Sequence, residues 1–462
     1  MHSPAFLPDL LDYSQSCMPE YTKQLLEMVS IPSVSAGTEH HADLKKMAEY
    51  ARDLLAKYGF TAKVVPTKGS PAIVGLMEVD PKAPWITVYN HMDVQPAKEP
   101  QWKTSPFEPL LKEGIVIGRG STDDKGPALS IVHAIHYLKS RNIPMPNVQV
   151  IYETEEEIGS PNFGAFLDDN KGWLKDPESI LISDTIFEGE HPAITYKLKG
   201  MQRVELELVS GSKDLHSGIF GGAVENPLSI LISVLAKMVN EKGDILIPEI
   251  AAANSSLNPE EEKALSEVAS IFDLDKFTKD SGEAKRYAED IREILMRIWH
   301  KPTLEIHGFS GAQHEIGVLK SAISPSVRAK VSLRLIPGLE PKAIVSAIQS
   351  FVKSIHPGIE VHDLGGQKAS FTPLSDPFLK EASVACTVGF GRPPLFTGCG
   401  GTIGAIPQFQ RVWPQRAVVL IAQSLMSDGY HAPNEQFELI QGQRGIVALA
   451  TYLNRVSGMF RA

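Results

Sequence analysis

His91 and Asp93, one residue apart, stand at the end of the apolar run Trp85-Ile86-Thr87-Val88. Four more sets of polar residues follow similar runs. Asp123-Asp124 opens a helical stretch, and Glu153-Thr154-Glu155-Glu156-Glu157 follows the run 148–152. Asp184 follows 179–182, and His431 lies in the loop after 417–422. Two imidazoles with several carboxylates suit zinc or manganese better than calcium. So many acids in one place repel one another unless cations are bound. Two metals about 3.5–4 Å apart can share one carboxylate and a hydroxide, each polarising the hydroxide and one also a carbonyl. Such hydrolysis needs a general base that is not itself a ligand. Adjacent glutamates at a strand-to-loop junction point in different directions, so one can ligate while its neighbour faces the water. Asp93 is placed to hydrogen-bond the His91 imidazole and fix its tautomer.

Taken singly, each feature has a plainer reading. The acidic run can be a solvated turn, Asp123-Asp124 a helix cap, and His431 a loop histidine. Their appearance at four separate strand ends is what points to a single site.

The elements that must position these residues follow from hydrophobic periodicity. Helices are expected over 19–31 and 41–58, strands over 61–65, 72–78 and 85–89, and a hairpin over 110–119. Pro127 suits the first turn of a helix, whose apolar face is Leu129, Val132, Ile135 and Leu138. Strands at 148–152 and 179–182 complete a β-α-β alternation. The fold class is therefore α/β, a mainly parallel sheet flanked by helices, with ligands at the carboxyl ends of its strands. From Met201 the pattern changes. Strict alternation over 203–209 and 327–335, helices over 227–239 and 341–355, and a short strand at 359–362 predict an inserted two-layer α+β domain. A charged helical extension is expected over 258–297. The resulting division is 1–199 and 369–462 for the catalytic part, and 200–368 for a dimerisation or lid domain. An edge strand of that domain offers pairing to a second copy.

Length and composition agree with this division. A chain of 462 residues exceeds one ordinary core. A net charge of −10 argues against nucleic acid or an anionic membrane as a main partner. Cys17, Cys386 and Cys399 are too few and too far apart for a disulfide framework or a cysteine zinc knuckle, which favours a reducing, cytoplasmic setting. Residues 1–8 lack the basic start and apolar core of a signal peptide. No run approaches the roughly 20 apolar residues that span a bilayer.

The chain resembles the co-catalytic di-zinc exopeptidases, a family of carnosinases, non-specific dipeptidases, aminoacylases and glutamate carboxypeptidases. The residues that carry the resemblance are Asn90-His91-Met92-Asp93-Val94, Gly118 through Pro127, Glu156-Glu157-Ile158-Gly159-Ser160, Ile182-Ser183-Asp184 and His431. Asp214-Leu215-His216-Ser217-Gly218, Leu304-Glu305-Ile306-His307-Gly308 and Ser332-Leu333-Arg334-Leu335-Ile336-Pro337 look most like the carnosinase-like dipeptidase branch. The resemblance implies two divalent ions, Zn2+ or Mn2+, in each subunit. His91 and Asp184 would bind one, Glu157 and His431 the other, and Asp123 both, with a cis peptide to Asp124. Glu156 would be the general base, set by its distance to Gly159-Ser160, and Asp93 would support His91. Arg334 would anchor the free carboxylate of a dipeptide, with Gly401 and Thr402 lining the same end. His216 would come from the partner subunit of a homodimer to stabilise the oxyanion, and Ser321 would reach across the same interface. Thr402 stands where the branch usually has Ser, and Gly398-Cys399-Gly400 is less acidic than its pattern. The implied activity is metal-dependent dipeptide hydrolysis. The alternatives are an N-acyl-amino-acid hydrolase or carboxypeptidase of the same family, or a non-catalytic dimeric binding protein on this fold.

Overall fold

The computed structural model describes residues 6–253, 255–312, 317 and 320–460. Residues 1–5, part of the stretch read above for a signal peptide, lie outside it. Among the described residues the main sheet has nine strands. Its centre is parallel: Trp85–His91 pairs with Asn147–Glu153 on one side and Ser179–Ile182 on the other, and Ser179–Ile182 pairs with Ala417–Ile421. The flanks at Thr61–Val65, Ala72–Met77 and Ser370–Phe371 are antiparallel. Strands buried on both faces read as continuous apolar runs, as Ile180-Leu181-Ile182 and Ala417-Val418-Val419-Leu420-Ile421 do.

Register is what positions the site. His91 is level with Glu153, Tyr89 with Ile182, and Leu420 with Ile182. The four central strands therefore end at one height, and the loops that follow carry Asp93, Glu156, Asp184 and His431 to one edge. Helices Met18–Val29, Gly126–Ser140, Pro377–Phe390 and Leu439–Met459 cover one face of the sheet, and Phe163–Asn170 and Ala405–Val412 cover the other.

A second sheet is wholly antiparallel, in the order Thr303–Ser310, Ser326–Leu335, Gly200–Val209, Ile359–Gln367. Helices Pro227–Met238 and Pro341–Ile355 cover Val204, Leu206, Leu208, Val327, Ala329, Val331 and Leu333 on one face. By alternation Arg328, Lys330, Ser332 and Arg334 point to the other face. Thr303–Ser310 is a strand that periodicity does not predict. A bulge between Ile306 and Gly308 breaks its alternation, and Ile306 is exposed.

The chain passes between the sheets twice, at Lys199-Gly200 and at Gln367–Ser370. The two crossings touch: a Cβ on Gly200 would lie 2.4 Å from the Gln367 carbonyl oxygen and 2.5 Å from the Ala369 nitrogen. The charged extension folds as helices Pro259–Ile271, Leu274–Asp280 and Ile291–Leu295, ending in a wide π-type turn, Met296–His300. This arm packs on the main sheet, where Leu265, Val268, Met296 and Trp299 cluster with Leu395. Among the described residues no helix is long and apolar enough to cross a membrane.

Candidate metal centre

The strand Trp85–His91 delivers a fully buried His91. Its Nε2 lies 2.9 Å from Asp123 Oδ1 and 3.8 Å from Asp184 Oδ2. The other Asp123 oxygen, Oδ2, lies 3.1 Å from His431 Nε2, which is also 3.1 Å from Glu157 Oε2. Two ligand sets result, His91/Asp123/Asp184 and Asp123/Glu157/His431, each with its ligand atoms within 4.8 Å of one another. Asp123 belongs to both. The Asp123-Asp124 peptide is cis.

Electrostatics describe a site short of positive charge. Burial alone would push the His91 imidazole down, but hydrogen bonds to Asp123 and Asp93 raise it well above its ordinary range. Asp123 and Glu157 carry His431 up to about 10. Burial, joined by the Asp123 charge, lifts Asp184 to about 7. Burial also raises Glu156, aided by Asp184 and Glu157 and opposed by His91. The imidazoles thus hold protons where the carboxylates call for cations. Donors of this type and spacing fit a pair of divalent ions.

The loops around the cluster are tied by backbone amides. The Asp93 carboxylate accepts from the N–H groups of Glu156 at 3.2 Å and Glu157 at 3.0 Å. His91 Nδ1 donates to the Asp93 backbone carbonyl, at 3.0 Å, with Asp93 Oδ1 at 3.5 Å. Asp93 therefore orients His91 chiefly through its main chain, while its carboxylate is shared with the glutamate turn. Glu155 faces away, accepting from Ser70 N–H and Asn162 Nδ2, both at 2.8 Å. Gln95 Nε2 donates to Glu157 Oε2 at 2.8 Å. Glu156, between two engaged glutamates, is free to face the cluster.

Sequence reading assigns no role to Glu435 or Asp428, yet both shape the centre. The Glu435 carboxylate is fully buried and accepts from the N–H groups of Gly120, Thr122 and Asp123 and from Arg119 Nη1, at 2.9–3.1 Å. Asp428 accepts from Thr122 Oγ1 at 2.9 Å. The segment bearing His431 thus also grips the segment bearing Asp123. The one sequence signal is that Glu435 lies four residues after His431.

The residues expected at the carboxylate end split into two places. Arg334 Nη1 donates to Thr402 Oγ1 at 3.3 Å, and Thr402 Oγ1 donates to the Lys199 carbonyl. Gly401 N–H donates to Cys399 Sγ at 3.2 Å. Arg334, Gly401 and Thr402 are therefore neighbours although they sit on different sheets. His216 and Ser321 lie elsewhere, on an exposed two-stranded ribbon where His216 pairs with Ala322 and Ser217 N–H donates to the Ser321 carbonyl. His216 Nδ1 accepts from Gly218 N–H at 3.0 Å, and neither residue belongs to the cluster within one chain.

Comparison with known proteins agrees with this geometry. The chain is 30% identical to the Cys-Gly metallodipeptidase DUG1 of Saccharomyces cerevisiae, over 96% of each chain. Its fold is similar to the crystal structure of human carnosine dipeptidase 1, with a TM-score of 0.82 at 28% identity, covering 99% of this chain and 100% of that one. It is also similar to an M20 family metallo-carboxypeptidase, Sso-CP2 from Sulfolobus solfataricus, with a TM-score of 0.84 at 26% identity, over 94% and 98% of the two chains. The model of peptidase family M20/M25/M40 matches residues 87–455, so the shared carboxylate and its two histidines lie on the scaffold of that family, to which this chain belongs.

Proposed function

We propose that this protein is a metal-dependent dipeptidase with a binuclear centre, acting as a homodimer in the cytoplasm. The observation that carries the reading is Asp123, whose two oxygens face two different histidines at 2.9 and 3.1 Å. His91, Asp123 and Asp184 would hold one divalent ion, zinc or manganese, and Asp123, Glu157 and His431 the other. When bound, such a pair supplies a polarised water and a polarised scissile carbonyl.

The chain's own groups do the rest. Glu156 takes a proton from the attacking water and returns it to the leaving nitrogen as the C–N bond breaks. Arg334 holds the free C-terminal carboxylate of the substrate, between Gly401 and Thr402. His216 and Ser321, exposed on their ribbon, reach the site of a second copy, where His216 donates to the developing oxyanion. Residues 200–368 form the dimerisation and lid domain, and 1–199 with 369–462 the catalytic part.

The test is a dipeptide panel assayed with protein reconstituted in zinc or manganese. Unblocked dipeptides are expected to be cleaved, and chelation to abolish turnover. A preference for N-acylated amino acids or longer peptides would favour the carboxypeptidase-type reading, which the likeness to the Sulfolobus solfataricus enzyme keeps in play. Metal analysis showing no stoichiometric divalent ion would turn the reading to a non-catalytic binding protein.

A further inference from the structure

Lys199 sits at the first crossing between the two sheets. It is 2% exposed, and its Nζ donates to the Arg297 carbonyl at 2.6 Å. A buried ammonium ordinarily lies against a carboxylate, because an uncompensated charge away from water is costly. Lys197, two residues earlier, follows that rule: it pairs with Glu261 at 2.5 Å and lies 3.1 Å from His300 Nδ1. Lys199 does not. Among the described residues no carboxylate oxygen lies within 4.0 Å of Lys199 Nζ or of the Arg334 guanidinium.

The Lys199 main chain and the Arg334 side chain meet at the Gly398–Thr402 loop. Lys199 N–H donates to the Cys399 carbonyl at 3.0 Å, and the Lys199 carbonyl takes the hydroxyl of Thr402, whose oxygen accepts from Arg334. The ammonium's hydrogen-bond partner is the Arg297 carbonyl, and the charged and titratable groups that act on it are Arg334, which lowers it, and Cys399 and Glu305, which raise it. Glu305 is exposed, and burial holds the Cys399 thiol in its neutral form.

We propose that Lys199 is a specificity-determining positioning residue: with Arg334 it supplies the positive charge that selects substrates with an ionised C-terminal carboxylate over neutral ones. The proposal rests on the dipeptidase reading. The substrate carboxylate brings the counter-charge that the protein itself lacks there. Lys199 does not touch it; its charge acts on the Arg334 end of the site, to which its main chain is tied through Thr402. Burial, and next the Arg334 charge, bring the free ammonium down to about 7. An arriving anion reverses the balance, and Lys199 takes up a proton as the substrate binds.

The experiment compares a dipeptide with its C-terminal amide in metal-reconstituted wild type, Lys199→Met and Lys199→Arg. In wild type, kcat/KM should favour the acid. Lys199→Met should lower that preference about tenfold, mainly through KM, and Lys199→Arg should restore most of it. An unchanged preference in Lys199→Met overturns the proposal, as does an equal loss on acid and amide carried by kcat, which marks a purely structural role. If Lys199→Met does not fold, wild type decides. KM for the acid should rise between pH 6 and 8.5 as Lys199 loses its proton, while KM for the amide does not follow. A KM for the acid that is flat over this range overturns the proposal. A wild type that cleaves neither substrate removes the dipeptidase reading itself, and the proposal falls with it; that result is distinct from cleavage without acid preference.

Discussion

The carboxylate of Glu435 accepts a hydrogen bond from the backbone N–H of Asp123 at 3.1 Å, and the same carboxylate binds the N–H groups of Gly120 and Thr122. The residue shared by both ligand sets is thus held through its main chain by an acid from a distant loop. Glu435→Gln keeps the shape but replaces one acceptor oxygen with an amide that points hydrogens at N–H groups. Metal affinity should fall about 10–100-fold, read by metal titration of the refolded apoprotein. Wild-type affinity in this variant would show that the Asp123 loop keeps its form without Glu435.

Glu156 lies between Glu155, which is bound to Ser70 and Asn162, and Glu157, which faces His431. Removing its proton-transfer ability while keeping its size isolates that role. Glu156→Gln should bind metal with normal stoichiometry and lose about 10²–10⁴-fold in kcat. A near-normal rate sinks its assignment as base.

His216 and Ser321 share an exposed ribbon, and the dimer reading gives them work in the partner's site. His216→Ala should lose turnover but keep metal. Mixed with Glu156→Gln subunits after dissociation and reassociation, it should recover roughly one quarter of wild-type activity. Half of randomly formed dimers are mixed, and each has one intact site. No recovery would mean that each site is complete within its own chain.

The fourth prediction concerns pH and stability. His133 is buried, 2.9 Å from Gln24 Oε1 and 3.3 Å from the Tyr58 hydroxyl. Burial holds its imidazole down to about 4. In the unfolded chain it titrates near its ordinary value of about 6.5. Between these values the unfolded state binds a proton that the folded state refuses, so stability falls as pH drops through this window. Across the whole window this site costs about 3 kcal/mol, of which about 2 is lost by pH 5. His133→Gln should lose less of its urea midpoint between pH 7 and pH 5 than wild type. Equal losses would place the acid sensitivity in other groups.

The central strands were legible as apolar runs, and the candidate ligands as polar residues in the segments that follow them, which parallel register brings to one edge. Ser179–Ile182 and Pro341–Ile355 have the bounds that periodicity gives. Other parts were hidden for physical reasons. Ala193–Leu198 is buried at every position, so it has no alternation, and Lys197 within it reads as a surface residue until Glu261 arrives from the arm. The last helix, Leu439–Met459, contains Gly442 and Gly445, which weaken a helical pattern. Both are needed because a Cβ would meet the Tyr21 hydroxyl at 2.6 Å or Gln423 Oε1 at 1.9 Å. The Glu435 contacts join segments far apart in the chain, and no local pattern encodes such a pairing. Asp93 was legible as a neighbour of His91, but its side chain went to the Glu156 and Glu157 amides, a competition that only the folded turn decides.

The arm that ends at Met296–His300 belongs in sequence to the insertion, but it leans on the main sheet. A Cβ on Gly398 would come within 2.6 Å of Trp299 Cβ, and the Arg297 carbonyl takes the Lys199 ammonium. The protein is therefore not modular at its apparent seams. A chimera that exchanges residues 200–368 for the same region of a relative would also exchange the wall behind the Gly398–Thr402 loop, and a shortened variant without that region would expose Leu395 and leave Lys199 with no partner. Swapping or trimming experiments must cut around the arm, keeping 258–300 with the catalytic sheet.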